Sequence, residues 1–486
     1  MKTNRTNLFF LIVFLSFSLI QNLMCMRDKR IKNMTKIEPS QEYKKKKRSE
    51  SIHDQVSEKI LSDIVFNDSL DDSVLCDKYI FLNIDGFKES FKNELDLFRK
   101  NITKLIDNKN FKTAISLQEK DIYDQRSIYY GRLTQSKNLI NSYSIGDIHA
   151  SSLHLIKDLR KLKSLGVLTD KLELINLKND NQQEMETYFI NTGDIIDRGL
   201  NGAECIYLFM LLFNKNPNNV ILLRGNHESF ITSHNYGFSM EIGRYFSNIE
   251  SNLFDEVIKY FKTLGKDINQ DELDLNKSDL EKIMKLYFEN SNYKNIISTL
   301  KLLPSTAFLI DKNKFTIQFS HGTIDTAFKL NKRNKKNAIK LQADKTFIND
   351  NYNKYIWGDS ILDGDVDEKR NNSEGLSEKD IYQYMETNNI NLFVCGHNHY
   401  SKNLNKYGFM YTTNNEGTKN IIRHIQFFGI YKYMPSIVNI SFNKKININP
   451  IYIDTKEDLN IPSNPMPDFL RKNFKFNFLW WLKKQT

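Results

Sequence analysis

The chain has 486 residues, 40% of them hydrophobic, and a net charge of +10 at neutral pH. It is too long for one small domain, short for three, and long enough to bury a sizeable core. The positive balance comes from lysine used throughout, with no single basic face, so a nucleic-acid partner is not expected.

Lys2 and Arg5 precede an apolar run from Leu8 to Ile20, which gives way to Gln21 and Asn22. These are the n-region and h-region of a secretory signal peptide, read over 1–25. The run is short of the about 20 residues that span a bilayer; an uncleaved signal anchor is the alternative. The expected localisation is the secretory pathway: endoplasmic reticulum, secreted or membrane-associated. Residues 26–60 are polar and carry the block Lys44-Lys45-Lys46-Lys47-Arg48, as in a disordered basic linker. Residues 61–140 read as a helical N-terminal extension, with Phe87, Phe91, Leu95, Leu97 and Phe98 as the apolar positions of an amphipathic stretch that packs on the C-terminal part of the chain.

From Asn141 the pattern changes. Short apolar runs (Tyr143 to Ile145, Tyr188 to Ile190, Val220 to Leu223, Phe315 to Phe319, Leu392 to Val394) are of strand length and rich in β-branched or aromatic residues. Helical patterns such as Ser152 to Leu165 and Ala203 to Phe213 lie between them, which indicates an α/β core over 141–445. A helical insertion is expected over about 247–298. Asp267, Asn269 and Asp271 within it hint at a calcium loop, but Glu272 and Ser278 stand where that loop needs glycine and glutamate, so an EF-hand is rejected. The tail, 446–486, ends in Phe474, Phe476, Trp480 and Trp481 interleaved with Lys475, Lys483 and Lys484. That end suits either peripheral contact with a membrane surface or docking of its aromatics on the domain. The four cysteines (Cys25, Cys76, Cys205 and Cys395) are scattered and form neither a zinc ribbon nor a disulfide framework.

Each apolar run ends at a segment that pairs glycine with metal-type ligands: Gly146-Asp147-Ile148-His149, Gly193-Asp194 with Asp197-Arg198-Gly199, Gly225-Asn226-His227-Glu228, His321-Gly322 and Gly396-His397-Asn398-His399. Five of the nine histidines fall there. Asp147 and His149, like His397 and His399, lie two apart and share one face when extended. Hard oxygen with imidazole suits first-row divalent cations. Active sites of α/β sheets sit at the C-terminal ends of strands, where these segments are.

The series resembles the calcineurin-like metallophosphoesterase superfamily. Val220 to Glu228 (VILLRGNHE) and Asp197-Arg198-Gly199 are similar to its phosphoprotein phosphatase branch, with Tyr236-Gly237-Phe238, Leu303-Pro304 and Trp357-Gly358-Asp359 in the expected order over about 141–442. The resemblance implies a four-layer αββα sandwich and two divalent cations, Mn, Fe or Zn by ligand type. Asp147 and His149 would hold the first, Asp194 would bridge, and Asn226, His321 and His397 would hold the second, activating a water for in-line attack on phosphorus. His227 would be the general acid, oriented by Asp197, and Arg198 would grip the phosphate. Arg370 would be a second phosphate-binding arginine, although its surroundings match poorly.

Three departures stand out. His399 replaces the usual glutamine and is a candidate ligand of the first metal, Ala150 ends the first motif, and Thr323 follows His321-Gly322 without a second glycine. The longer spacer between the first two motifs and the glycine-flanked histidine look more like bacterial or Shewanella-like members of the branch. The substrate expected is a phosphoprotein, on serine or threonine, with tyrosine left open. A nucleotide or small phosphomonoester is the alternative among enzymes, and a catalytically silent membrane scaffold is the alternative outside them.

Overall fold

The computed structural model describes residues 54–75, 80–105, 131–179, 181–246, 291–326, 360–361, 376–397, 404–426, 434–443 and 445–453. The signal region, most of the linker and of the helical insertion, the aromatic–basic tail, the Trp357-Gly358-Asp359 motif, Arg370 and His399 lie outside them. The chain divides into two compact units, Met1–Gln55 and Val56–Thr486, and the second carries the sheets and helices of the fold.

The extension opens with a π-helical turn over Leu61–Val65, a short helix α1 (Asp72–Leu75) and a long helix α2 (Phe87–Leu105). α2 buries Phe87, Phe91, Leu95, Phe98 and Ile102, spaced three or four apart, so one stripe faces inward. Leu97 falls off that stripe and is 40% exposed, contrary to its grouping with the apolar positions in the sequence.

Next come β1 (Gly131–Gln135), β2 (Leu139–Ile145), α3 (Ser152–Ser164), β3 (Leu177–Lys178), β4 (Glu184–Asn191), α4 (Gly202–Lys215) and β5 (Val220–Leu222). After them come α5 (Phe230–Asn235), α6 (Phe238–Phe246), α7 (Ser291–Leu300), β6 (Thr306–Ile310), β7 (Thr316–Ser320), β8 (Ser360–Ile361), β9 (Leu376–Ser377) and α8 (Glu378–Thr387). The chain closes on β10 (Leu392–Cys395), β11 (Phe409–Thr413), β12 (Asn420–His424), β13 (Ser436–Asn443) and β14 (Lys445–Tyr452).

Two six-stranded sheets form the centre, one in the order β1-β6-β7-β10-β12-β11, the other β14-β13-β2-β4-β3 with β5 also on β4. Their facing sides share a core of Ile140, Tyr188, Ile190 and Ile221 from one sheet with Leu309, Ile317, Phe319 and Val394 from the other. On the outer face of the β2–β4 sheet lie α3, α4 and the extension, burying Tyr143, Ile145 and Phe189. On the outer face of the other sheet, Ile381, Tyr384 and Met385 of α8 cover Phe308, Phe393 and Ile421. The fold is thus a mixed α/β sandwich with helices on both sides, the metallophosphoesterase arrangement.

The sheets extend beyond the sequence boundaries of 141 and 445. β1 pairs with β6 and β14 with β13, both as edge strands. β1 carries one strongly apolar side chain, Leu133, and β14 contains Pro450, which only an edge strand tolerates easily. Among the described residues no helix is long and apolar enough to cross a membrane.

Parallel pairing aligns the strand ends. Ile145 of β2 lies opposite Asn191 of β4, which pairs with Leu222 of β5. In the other sheet Ser320 of β7 lies opposite Cys395 of β10. The five motif segments therefore leave the sandwich along one rim.

Candidate active site

The motif loops leave the strands in conformations L-residues rarely adopt. His149 (φ 47°), Ala150 (58°), Asp194 (50°), Asp197 (72°), Arg198 (66°) and His397 (63°) all occupy the left-handed region. Such residues cost free energy and persist where the surroundings over-determine them. Here those surroundings are inter-loop hydrogen bonds: the amides of Ile148 and His149 donate to Asp194 O, and that of Gly199 to His149 O. Two glycines allow the close approach. A Cβ on Gly225 would collide with the Asp194 carboxylate, and one on Gly396 with that of Asp147.

Asp194 is the centre of the cluster. Its Oδ2 lies 3.2 Å from His321 Nε2, 3.5 Å from His149 Nε2 and 3.9 Å from His227 Nε2. Asp147 Oδ1 is 3.5 Å from His321 Nδ1, and Asp147 Oδ2 accepts from His397 N at 3.0 Å. The side chain of Asn226 lies 2.9 Å from His321 Nε2, and with its amide turned its nitrogen also reaches His397 Nδ1. Two groups, His149–Asp194–His227 and Asp194–His321–His397, each bring their donor atoms within 4.8 Å of one another, sharing Asp194. Of the eleven residues expected at the site, the structure gathers Asp147, His149, Asp194, Asp197, Arg198, Asn226, His227, His321 and His397; Arg370 and His399 fall outside the described residues.

The donor set suits divalent cations. His149 Nδ1 meets Ile196 O at 3.1 Å and His321 Nδ1 meets Thr192 O at 3.0 Å. Each carbonyl orients its ring so that Nε2 faces Asp194, the usual arrangement behind a metal-ligating imidazole. Burial, reinforced by Arg198, holds His149 well below its ordinary range, hence neutral. Burial pushes the Asp147 carboxyl up to about 8. Burial would raise Asp194 too, but His321 and His227 hold it well below the usual carboxylate range. Conversely, Asp194 and Asp147 outweigh burial at His321 and push it up to about 9.

Beside the cluster, His227 gives Nδ1 to Asp197 Oδ2 at 2.7 Å, so Nε2 points back toward Asp194. The other Asp197 oxygen accepts from Phe238 N at 3.3 Å. Burial and then the nearby charge of Glu228 push the Asp197 carboxyl well above its normal range. Arg198 Nη2 lies 3.4 Å from His227 Nε2, and its guanidinium sits 5.7 Å from the Tyr236 ring centroid.

Glu228 had no role assigned from sequence. It is fully buried and accepts from Asp194 N (3.0 Å), Gly225 N (2.7 Å) and Ile195 N (2.8 Å), tying the second motif loop to the third. A glutamate directly after Asn226 and His227 was the available signal. The carbonyls of Ile196 and Thr192, by contrast, leave no mark in a sequence.

A β-sandwich whose rim gathers carboxylates, an asparagine and histidines around one shared aspartate defines a metallophosphoesterase centre. The calcineurin-like phosphoesterase family model matches residues 143–401, more than half of the chain, and the chain belongs to that family. It is 42% identical over 73 residues to human serine/threonine-protein phosphatase with EF-hands 1, covering 15% of this chain and 11% of that protein. It is 33% identical over 134 residues to the Candida albicans serine/threonine-protein phosphatase SIT4, covering 27% and 38%. The matched stretch spans 11% of the first of these proteins and 38% of the second. Among solved structures, a Saccharomyces cerevisiae protein serine/threonine phosphatase with similarity to human phosphatase PP5 overlaps 72% of this chain and 92% of its own, at 15% identity and a TM-score of 0.41.

Proposed function

We propose that this chain is a metal-dependent phosphatase that hydrolyses phosphomonoesters on proteins. The observation that carries the reading is the Asp197–His227 pair, at 2.7 Å, set beside Arg198 and the ligand cluster around Asp194. Asp147, His149, Asp194, Asn226, His321 and His397 would hold two divalent cations, and His399 is a further candidate ligand. When bound, the cations supply an activated water and neutralise phosphate oxygens.

The chain's own residues do the rest. Arg198 offers a planar fork of N–H donors to the phosphate. Arg370 is proposed as a second such donor. His227, with Nδ1 anchored on Asp197, presents Nε2 to the leaving alkoxide and protonates it. Burial of the whole cluster excludes bulk water and strengthens each of these interactions.

Manganese is the first cation to try, because oxygen and imidazole ligands suit it. The expectation that residues 1–25 direct the chain into the secretory pathway, and that its tail touches a membrane surface, belongs to this proposal. Residues 27–486 are tested for metal content and for hydrolysis of phosphoserine, phosphothreonine and phosphotyrosine peptides against nucleotides. Two metals with peptide turnover is the expected result. Turnover of nucleotides alone would overturn the substrate, and no metal with no turnover would overturn the activity.

A further inference from the structure

The extension grips the elements that carry the motif loops. On α3, Arg160 donates from Nε to Val65 O (2.7 Å) and from Nη2 to Ile64 O (2.9 Å) and Asn67 O (2.6 Å), closing the C-terminal end of the π-helical turn. Lys157 pairs with Asp72 of α1 at 2.6 Å. On α4, the Tyr207 hydroxyl lies 3.1 Å from Ser57 Oγ and 2.6 Å from Ser90 Oγ, while its ring meets Phe87 edge-on, centroids 5.1 Å apart. On α6, Phe91 meets Phe246 at 5.2 Å.

Each of these helices leads directly into site geometry. α3 follows Asp147 and His149, α4 follows Asp194 to Arg198, and α6 begins at Phe238, whose amide holds Asp197. Glu241 of α6 also accepts from Ala203 N of α4 at 2.7 Å. A buried relay joins the extension to the loops. Asn201 Nδ2 donates to Ser152 Oγ (2.6 Å), which donates to Leu75 O of α1 (3.2 Å), and Asn201 N donates to Ala150 O (3.1 Å).

We propose that residues 56–75 and 80–105 are an intramolecular positioning element for the site, holding the 146–151 and 193–202 loops in register through Ser152, Asn201 and Tyr207. These three are positioning residues. They hold the loops in the left-handed geometry that brings His149 to Asp194. The proposal rests on reading the cluster as a metal centre.

The test is hydrogen exchange, with Mn²⁺ titration calorimetry, on the full mature chain and on a release variant carrying Tyr207→Phe, Ser152→Ala and Arg160→Met. Amides of Ile148, His149, Ala150, Gly199 and Asn201 are expected to exchange about tenfold faster in the variant, those of β6 and β7 at parental rates, and Mn²⁺ to bind about tenfold more weakly. Tyr207→Phe alone is expected to move the same amides in the same direction, so the test survives if the triple variant fails to fold. Arg132→Met is the control. It removes hydrogen bonds to the carbonyls of Pro217, Asn218 and Val220 at the far end of α4 and is expected to leave the loop amides unchanged. Acceleration confined to 56–75 and 80–105, or spread evenly over both sheets, would overturn the proposal, as would equal loop acceleration in the control. Exchange needs no substrate, so a parent chain without phosphatase turnover would sink the functional reading while leaving this result readable.

Discussion

His227→Asn keeps the bulk of the side chain but removes the proton donor. The variant is expected to retain metal and to lose about 10²–10⁴-fold in turnover on a poor leaving group, because that is what a general acid contributes; unchanged turnover would remove His227 from the role. Both His227 and its partner Asp197 were legible in the sequence, since their motifs are short and their residue types are chemically committed. The carbonyls behind His149 and His321 were not, because any residue supplies a carbonyl. Asp194→Asn should deplete both cations, since its Oδ2 faces three histidines within 3.9 Å; a fully metallated variant would contradict the bridging role. Outside the ligand set, Asp158 of α3 is fully buried, and the one side-chain hydrogen bond it makes among the described residues comes from Gln426 at 3.5 Å. Burial raises its carboxyl well above the ordinary value. A raised carboxyl is protonated in the folded state, so stability is fully present below the unfolded value of about 3.9 and falls as pH rises toward the folded one, by about 1.4 kcal/mol per pH unit. Asp158→Asn cannot ionise and should gain on the parent as pH rises from 4, read from denaturant midpoints; parallel curves would refute this.

The strands that carry motifs could be read before the fold was known because each is buried on both faces. β4, β5, β7 and β10 are short runs with little or no exposed surface, and each ends at a polar, glycine-bearing segment. β1 and β14 escaped because edge strands need less apolar content, and β14 breaks its Ile446–Ile448 alternation at Pro450. The amphipathic stretch of the extension was visible, yet its partner was not: periodicity shows that a face is buried and says nothing of what buries it. α2 therefore offers a paired test. Phe91, 1% exposed and packed on Tyr207 and Phe246, should cost about 3–5 kcal/mol when replaced by alanine. Leu97→Ala, further along the same helix but facing outward, should stay within about 0.5 kcal/mol. Denaturant midpoints of the two variants that coincide would show that α2 does not dock through that stripe.

At the scale of the whole molecule, one rim brings Asp147, Asp194, Asp197 and Glu228 together, all within 1% of full burial. Histidine, arginine and shifted proton affinities offset some of that negative charge, but the burial penalty on carboxylates remains. Divalent cations bound there would stabilise the fold, because the unfolded chain has no such cluster: a ligand at about 100 times its dissociation constant adds about 2.7 kcal/mol. The melting temperature should therefore rise with Mn²⁺ concentration and fall on chelation. The bridging role proposed for Asp194 sharpens the prediction, since Asp194→Asn should abolish most of the response while Arg198→Ala, which removes the proposed phosphate donor and none of the proposed ligands, should preserve it. A parent whose melting temperature ignores Mn²⁺ would show that these carboxylates are balanced within the protein itself. Glu228→Gln separates charge from architecture in the same assay. Its new amide faces N–H donors in the loops, so it should cost about 1–3 kcal/mol with or without Mn²⁺, and the rise in melting temperature with Mn²⁺ should be kept, whereas Asp194→Asn should lose that rise.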